Sequence, residues 1–218
     1  MAALRSRGPA RYREVVPDRP ARVPDADVTS WALAAGAGDR AALASFVRAT
    51  QADVHRFLVH LSGPSEAEDL AQETYLRALR TLASFEGRSS ARTWLLSVAR
   101  RVAADAVRTA VRRPRTRDLG ADTQDALERM VPRGGAQEAV LLRTLVDALA
   151  ADRREAFVLT QLLDLGYAEA AEVCGCPVGT IRSRVARARE DLVRALDADR
   201  PGTAGDAGPG RARRRGGT

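Results

Sequence analysis

Within the stretch "GCPVGTIRSRVARAR", residues 175–189, arginine returns at 182, 184, 187 and 189 among small apolar side chains, and no acid follows until Glu190. A solvated helix face ordinarily mixes charge signs, so guanidiniums without neighbouring carboxylates point to an anion supplied from outside. The chemistry open to them is recognition: a planar fork can grip phosphate, or the O6/N7 edge of guanine in a duplex, through paired hydrogen bonds. Catalysis has no comparable material here. The chain carries no phosphate-cradling glycine loop, no nucleophile with a base beside it and no acid pair in a recognisable acid–base setting, so no catalytic residue and no cofactor is assigned. Cys174 and Cys176 are the only cysteines. A disulfide over so short a span would be strained, and a zinc site wants about four ligands while His55 and His60 lie far off in sequence. The two read as small packing residues, with no metal site.

The element that must hold the arginines is written around them. In "REAFVLTQLLDLGYAEAAEVCGCPVGTIRSRVARAREDLVRAL" the pattern predicts a helix to about Leu163, a short helix from Ala168 to Cys174, a turn, and a longer helix starting at Pro177, a residue suited to the first helical position. At about 100° per residue, Val178, Ile181, Val185, Ala188, Leu192 and Leu196 share one arc, with Thr180, Ser183, Arg184, Arg187 and Arg194 opposite. That is the layout of a helix-turn-helix, whose second helix enters the major groove N-terminus first. Arg184 and Arg187 are then placed for guanine edges or phosphates, Arg182 for phosphate, and Thr180 and Ser183 for the backbone or a base.

Upstream, two more helices carry polar faces. From Ser65, a candidate cap, to about Leu82, residues Leu70, Ala71, Thr74, Tyr75, Ala78, Leu79 and Leu82 form an apolar arc; Asp69, Gln72, Glu73, Arg77 and Arg80 share the other side, with Leu76 in their midst. The next helix, "ARTWLLSVARRVAADAVRTAVRR", buries Leu95, Val98, Ala99, Val102 and Ala106. It shows Ser97, Arg101, Arg108 and Arg112 on a second arc, with Trp94 at the edge and Asp105 within it. A basic surface bordered by aromatics suits stacking on unpaired bases.

The whole chain of 218 residues has a formal charge of +7, and every basic residue except the two histidines is arginine, a bias a GC-rich genome would give. The balance favours nucleic acid over membrane as polyanionic partner, because no apolar run approaches the roughly 18 residues that span a bilayer. The start has charge but no apolar signal region. With so few cysteines, the reading is a reduced, cytoplasmic protein without membrane insertion. The coarse organisation is a disordered basic arm at 1–27, a helical domain at 28–112, a linker at 113–137 with a weak helical patch around Leu127, a second helical domain at 138–198 and a disordered basic tail at 199–218. An all-α fold of two small helical domains joined by a flexible linker is expected.

Three runs of residues together resemble the extracytoplasmic-function (ECF) group of bacterial sigma factors, within the sigma-70 family. "AEDLAQETYLRALR" is similar to that family's core-polymerase-binding helix in domain 2, "SSARTWLLSVARRVAADAVR" to its melting and −10-reading segment, and "GYAEAAEVCGCPVGTIRSRVARARE" to the −35-reading helix-turn-helix of domain 4. The wording around "CGCPVGTIRSRVARAR" resembles the actinobacterial sigma C subgroup most. The resemblance spans about residues 28–198. One departure is Arg101, where the family often carries Asn. The resemblance implies a non-enzymatic specificity subunit of RNA polymerase, with core polymerase, promoter DNA and an anti-sigma factor as the kinds of partner. It implies contact with polymerase through Asp69, Gln72, Glu73, Leu76, Arg77 and Arg80. It places Phe85, Arg92, Trp94, Ser97, Arg101, Arg108 and Arg112 at the −10 element as a base flips into a pocket, and Thr180, Arg182, Ser183, Arg184 and Arg187 at the −35 duplex. The alternative is an autonomous helix-turn-helix regulator that binds palindromic DNA as a symmetric dimer. A DNA-processing enzyme such as a recombinase would need a nucleophile or metal-binding acids that the sequence does not supply.

Overall fold

The computed structural model describes residues 22–112 and 136–198. Every regular element among them is helical, in two units. The first holds α1 (Asp25–Gly36), α2 (Arg40–Ser62), α3 (Pro64–Thr81), a single 3-10 turn (Leu82–Ser84) and α4 (Ala91–Arg112). The second holds α5 (Ala136–Asp147), α6 (Ala151–Phe157) continued by a π-helical turn (Val158–Leu162), α7 (Tyr167–Cys174) and α8 (Val178–Ala198). The all-α, two-unit architecture is the one expected. The linker, the patch near Leu127 and both basic ends lie outside the described residues, except for 22–27 and 136–137.

Those exceptions matter. Helix α1 begins inside the stretch expected to be a disordered arm: Asp25 and Asp27 sit in its first turn, where the positive end of the helix favours acids, and Val28 and Ala32 are fully buried. The start of the domain expected at 28–112 is built from two helices, α1 and α2. Asp39 separates them by accepting from the backbone N–H groups of Ala41 (2.8 Å) and Ala42 (3.0 Å), which caps α2. Gly36 ends α1 against the turn that follows α3; a Cβ there would stand 2.7 Å from the carbonyl oxygen of Leu82, so only glycine permits the approach. Helix α3 starts on Pro64 without a side-chain cap, so Ser65 does not cap it. The first unit closes on Phe46, Phe57, Leu58, Leu95 and Leu96, all completely or almost completely buried.

In the second unit, Gly175 takes the left-handed conformation (φ 64°) that stops α7 and lets the chain turn tightly into α8. Ile181, Val185, Ala188 and Leu192 are buried along the back of α8, as the periodicity predicts, while Leu196, expected with them, is 40% exposed.

The units are packed together. Helix α4 lies against α7, and polar contacts cross the boundary: His60 Nδ1 to Asp147 Oδ1 at 2.8 Å, Arg100 to Glu155, the Thr93 hydroxyl to Glu169 Oε1 at 3.3 Å, and Arg22 Nη1 donating to the Leu163 carbonyl at 2.8 Å. Burial works against the charge on Arg100, but its bond to Glu155 and that carboxylate's field outweigh it and hold the guanidinium above its usual pKa.

Candidate nucleic-acid interface

The outward face of α8 is set by what its buried face leaves over. Arg182, Ser183 and Arg187 are exposed with Gly179 and Ala186 between them, and among the described residues neither arginine has a partner. Thr180 is half-buried, and its carbonyl accepts from the Ser183 hydroxyl at 2.9 Å. Arg184 is turned aside. Its Nε lies 3.2 Å from Asp152 Oδ2 on α6, and its Nη1 reaches Cys176 Sγ at 3.8 Å. Arg189 likewise donates to Gln161 Oε1 at 2.9 Å. Two of the four closely spaced arginines therefore find partners in the element beneath, which α8's own sequence cannot show, and two project free. Cys174 and Cys176 are free thiols at the turn; burial first of all pushes Cys174 up to about 12, so it stays a neutral packing group.

On α4, the sequence assignments separate. Arg101 and Arg108 are exposed, and Arg101 Nε donates to the Ser97 carbonyl at 3.1 Å; Ser97 is half-buried. The side chain of Arg112 lies outside the described residues. Phe85 and Trp94 pack on each other, ring centroids 4.9 Å apart at 36°, both half-buried against the core.

Arg92 is a correction. It is 2% exposed, bonded through Nη1 to Asp25, 2.9 Å from Asp53 Oδ2 through Nε, and donating from Nη2 to the Ala49 carbonyl at 3.3 Å. A guanidinium so enclosed ties α1, α2 and α4 together and cannot face DNA. The reason is phase: Arg92 points inward at the start of α4, beside the fully buried Ala91 and Leu95.

Beside that arginine the first unit opens into a cleft of about 510 Å³ between α1 and residues 87–90. Asp25, Thr29, Ser30 and Leu33 form one wall, Ser89 and Ser90 the other. Two of these hydroxyls build the rim. Thr29 Oγ1 accepts from the first backbone N–H of α4, Ala91, at 3.0 Å, and Ser90 Oγ accepts from Thr93 N–H at 3.1 Å. Apart from the Ser-Ser run ahead of a helix, which reads as a cap, nothing in the residue pattern singles these positions out, because half of the cleft comes from α1.

The third surface is on α3. Leu76 is 53% exposed, and Leu79, expected in the apolar arc, is 43% exposed, so the two make a small patch with Asp69, Gln72 and Arg80 exposed on the same helix. Arg77 and Glu73 are committed within the unit: Arg77 Nε donates to Glu73 Oε1 at 2.7 Å and its Nη1 to Asp105 Oδ2 at 2.5 Å, with Arg108 bonded to the other oxygen of Asp105. The Arg77 bond, then that from Arg108, holds the Asp105 carboxyl below the usual range.

Among the described residues no group of His, Cys, Asp or Glu is placed to hold a metal ion, and no helix is long and apolar enough to cross a membrane. Comparison with known proteins bears on the whole. Residues 46–113 match the family pattern "Sigma-70 region 2" and residues 139–192 match "Sigma-70, region 4". The chain is 50% identical over 175 residues to the ECF RNA polymerase sigma factor SigC of Mycobacterium tuberculosis, covering 80% of this chain and 94% of that one. Its fold is similar to that of the sigma factor RpoE of Bartonella quintana, solved with the anti-sigma factor NepR (TM-score 0.56, 28% identity, 72% of this chain and 98% of that one). It is also similar in fold to CnrH, solved with the cytosolic domain of CnrY (TM-score 0.61, 22% identity, 79% and 99%). With both regions matched in order and half of the aligned residues shared with SigC, the chain belongs to the ECF sigma factors of the sigma-70 family.

Proposed function

We propose that the chain is a dissociable promoter-specificity subunit: it joins core RNA polymerase through the Leu76–Leu79 side of α3, sets the −35 duplex against the outer face of α8, and opens the −10 segment along α4. The observation that carries this reading is the coexistence of a duplex-type surface, Arg182, Ser183 and Arg187, with a separate open cleft beside α4. A free-standing duplex reader has use only for the first. Arg182 and Arg187 would neutralise phosphates or read a guanine edge. Arg101 and Arg108 would follow the opened strand, and a base turned out of the stack would enter the cleft, its unstacking offset by contacts there with Leu33 and the hydroxyls. The chain performs no covalent chemistry in this scheme; the polymerase does. Work on promoter DNA places it in the cytoplasm, and the anti-sigma partner in the RpoE structure supports a partner of that kind here.

Permanganate footprinting tests the proposal. Thymines around −10 should become reactive when core polymerase is supplied with the chain and stay protected with either alone. Protection throughout, together with symmetric binding of the chain alone to a palindrome, would favour the autonomous regulator.

A further inference from the structure

We propose that Asp152 is a positioning residue that limits sequence-blind binding to DNA, by withholding the Arg184 guanidinium from the phosphate backbone; this rests on the reading of α8 as the duplex-binding helix. Asp152 lies in the first turn of α6, and its Oδ2 stands 3.2 Å from Arg184 Nε. The far end of the same guanidinium is held as well, Nη1 reaching Cys176 Sγ at 3.8 Å. Glu155, three residues further along α6, is engaged with Arg100 of the first unit. Among the described residues Asp152 is therefore the carboxylate that holds Arg184, and no other acid on α6 stands ready to replace it.

Two opposed forces set the arginine's position. Thr180, Arg184 and Arg187 follow one another along α8 at intervals of four and then three residues, the spacing of neighbours on one side of a helix. A guanidinium released from Asp152 would therefore swing towards Arg187, which is exposed and has no partner among the described residues. Like-charge repulsion opposes that swing in the free chain, and the attraction of Asp152 adds to it. A phosphate reverses the balance once the carboxylate is gone, because it draws both guanidiniums to the same side. Contacts to phosphate strengthen binding to every sequence alike. In a chain of formal charge +7 that already shows Arg182 and Arg187 on α8, a third such contact would hold the protein on the far more numerous sites that are not promoters. Asp152 prevents it at small cost to the fold, since the side chains of Arg184 and Asp152 are 25% and 53% exposed and water weakens their pairing.

The test measures anisotropy of the full chain on a −35 duplex and on a scrambled duplex of equal length, each across a salt series. Asp152→Asn keeps the size of the side chain and removes its charge. It should tighten binding to both duplexes by roughly fivefold at low salt and steepen the slope of log K against log salt by about one, as one further phosphate contact does. Asp152→Glu, which retains the charge, should stay close to the unaltered chain. Adding Arg184→Ala to Asp152→Asn should cancel the gain, whereas Arg184→Ala alone should change neither quantity. Misfolding cannot imitate this result, because it lowers affinity. A gain that survives the addition of Arg184→Ala would make Asp152 merely one more negative charge near the DNA and overturn its hold on Arg184. Unchanged binding by Asp152→Asn, or a gain confined to the −35 duplex, would overturn the proposal as well. Arg182→Ala and Arg187→Ala, run alongside, keep the two readings apart: if neither weakens binding, the assignment of α8 to the duplex fails, and the role of Asp152 falls with it.

Discussion

Arg184 and Asp152 form an ion pair that ties α8 to α6, with Nε 3.2 Å from Oδ2. It turns away from the outer face of α8 an arginine that the helical wheel puts there. Anisotropy titrations of a −35 duplex across a salt series should show the consequence. Arg182→Ala and Arg187→Ala should each flatten the slope of log K against log salt by about one, whereas Arg184→Ala should leave it unchanged. A flattened slope with Arg184→Ala would mean that the pair opens and the arginine moves to DNA.

Arg92→Ala removes the cation that joins three helices and leaves Asp25 and Asp53 facing each other across the gap. Breaking a buried pair costs roughly 3–5 kcal/mol; here about 3 is expected, because both carboxylates reach solvent. Urea unfolding measures it. A loss under about 1 kcal/mol would show Arg92 to be dispensable to the fold and restore it as a candidate for DNA.

How much of this is legible in the sequence depends on where the partner of each residue lies. Periodicity alone places Ile181, Val185 and Ala188 on a buried face, and Leu76 outside one, because those outcomes are decided within a single helix. The resemblance, not periodicity, sets Arg92 toward DNA; its spacing of three and seven residues from Leu95 and Ala99 puts it on their buried arc. Periodicity misplaces Arg184, because its partner Asp152 is 32 residues away in sequence and comes from another helix. The cleft escapes it for the same reason: the start of α1 has the composition of a structureless arm, and what anchors it comes from other helices, through the burial of Val28 and Ala32 and the Arg92–Asp25 pair. Leu79 shows the limit of the wheel itself: an apolar phase predicts burial only if a neighbouring element arrives to cover it.

Leu76→Ala and Leu79→Ala should each change thermal stability by no more than about 0.5 kcal/mol, as expected of exposed positions, while weakening association with core polymerase. Asp69→Ala should do likewise. Native binding assays with purified core polymerase, run beside calorimetry, separate the two effects. Unfolding by Leu76→Ala would contradict its exposure; undiminished polymerase binding by all three would move the contact surface elsewhere.

Burial opposes ionisation of Asp147, but the bond from His60, then the charges of His60 and Arg143, prevail and hold its carboxyl below the ordinary value. A depressed carboxyl contributes stability that is fully present above its unfolded pKa, near 4, and is lost as pH falls through the lower folded value. The contact between the two units should therefore hold from neutral pH down to about 4 and loosen below it. Energy transfer between dyes on α2 and α5 would follow the change, and Asp147→Asn should abolish its acid limb. A transition unaffected by Asp147→Asn would assign the acid response to another group.

The most direct measurement of the central claim is run-off transcription from a defined promoter by core polymerase with and without the chain. Initiation at one start site, dependent on the chain and lost when either Arg182 and Arg187 or Leu76 and Leu79 are replaced by alanine, is the expected result. Polymerase that ignores the chain, with DNA binding by the chain alone intact, would contradict it.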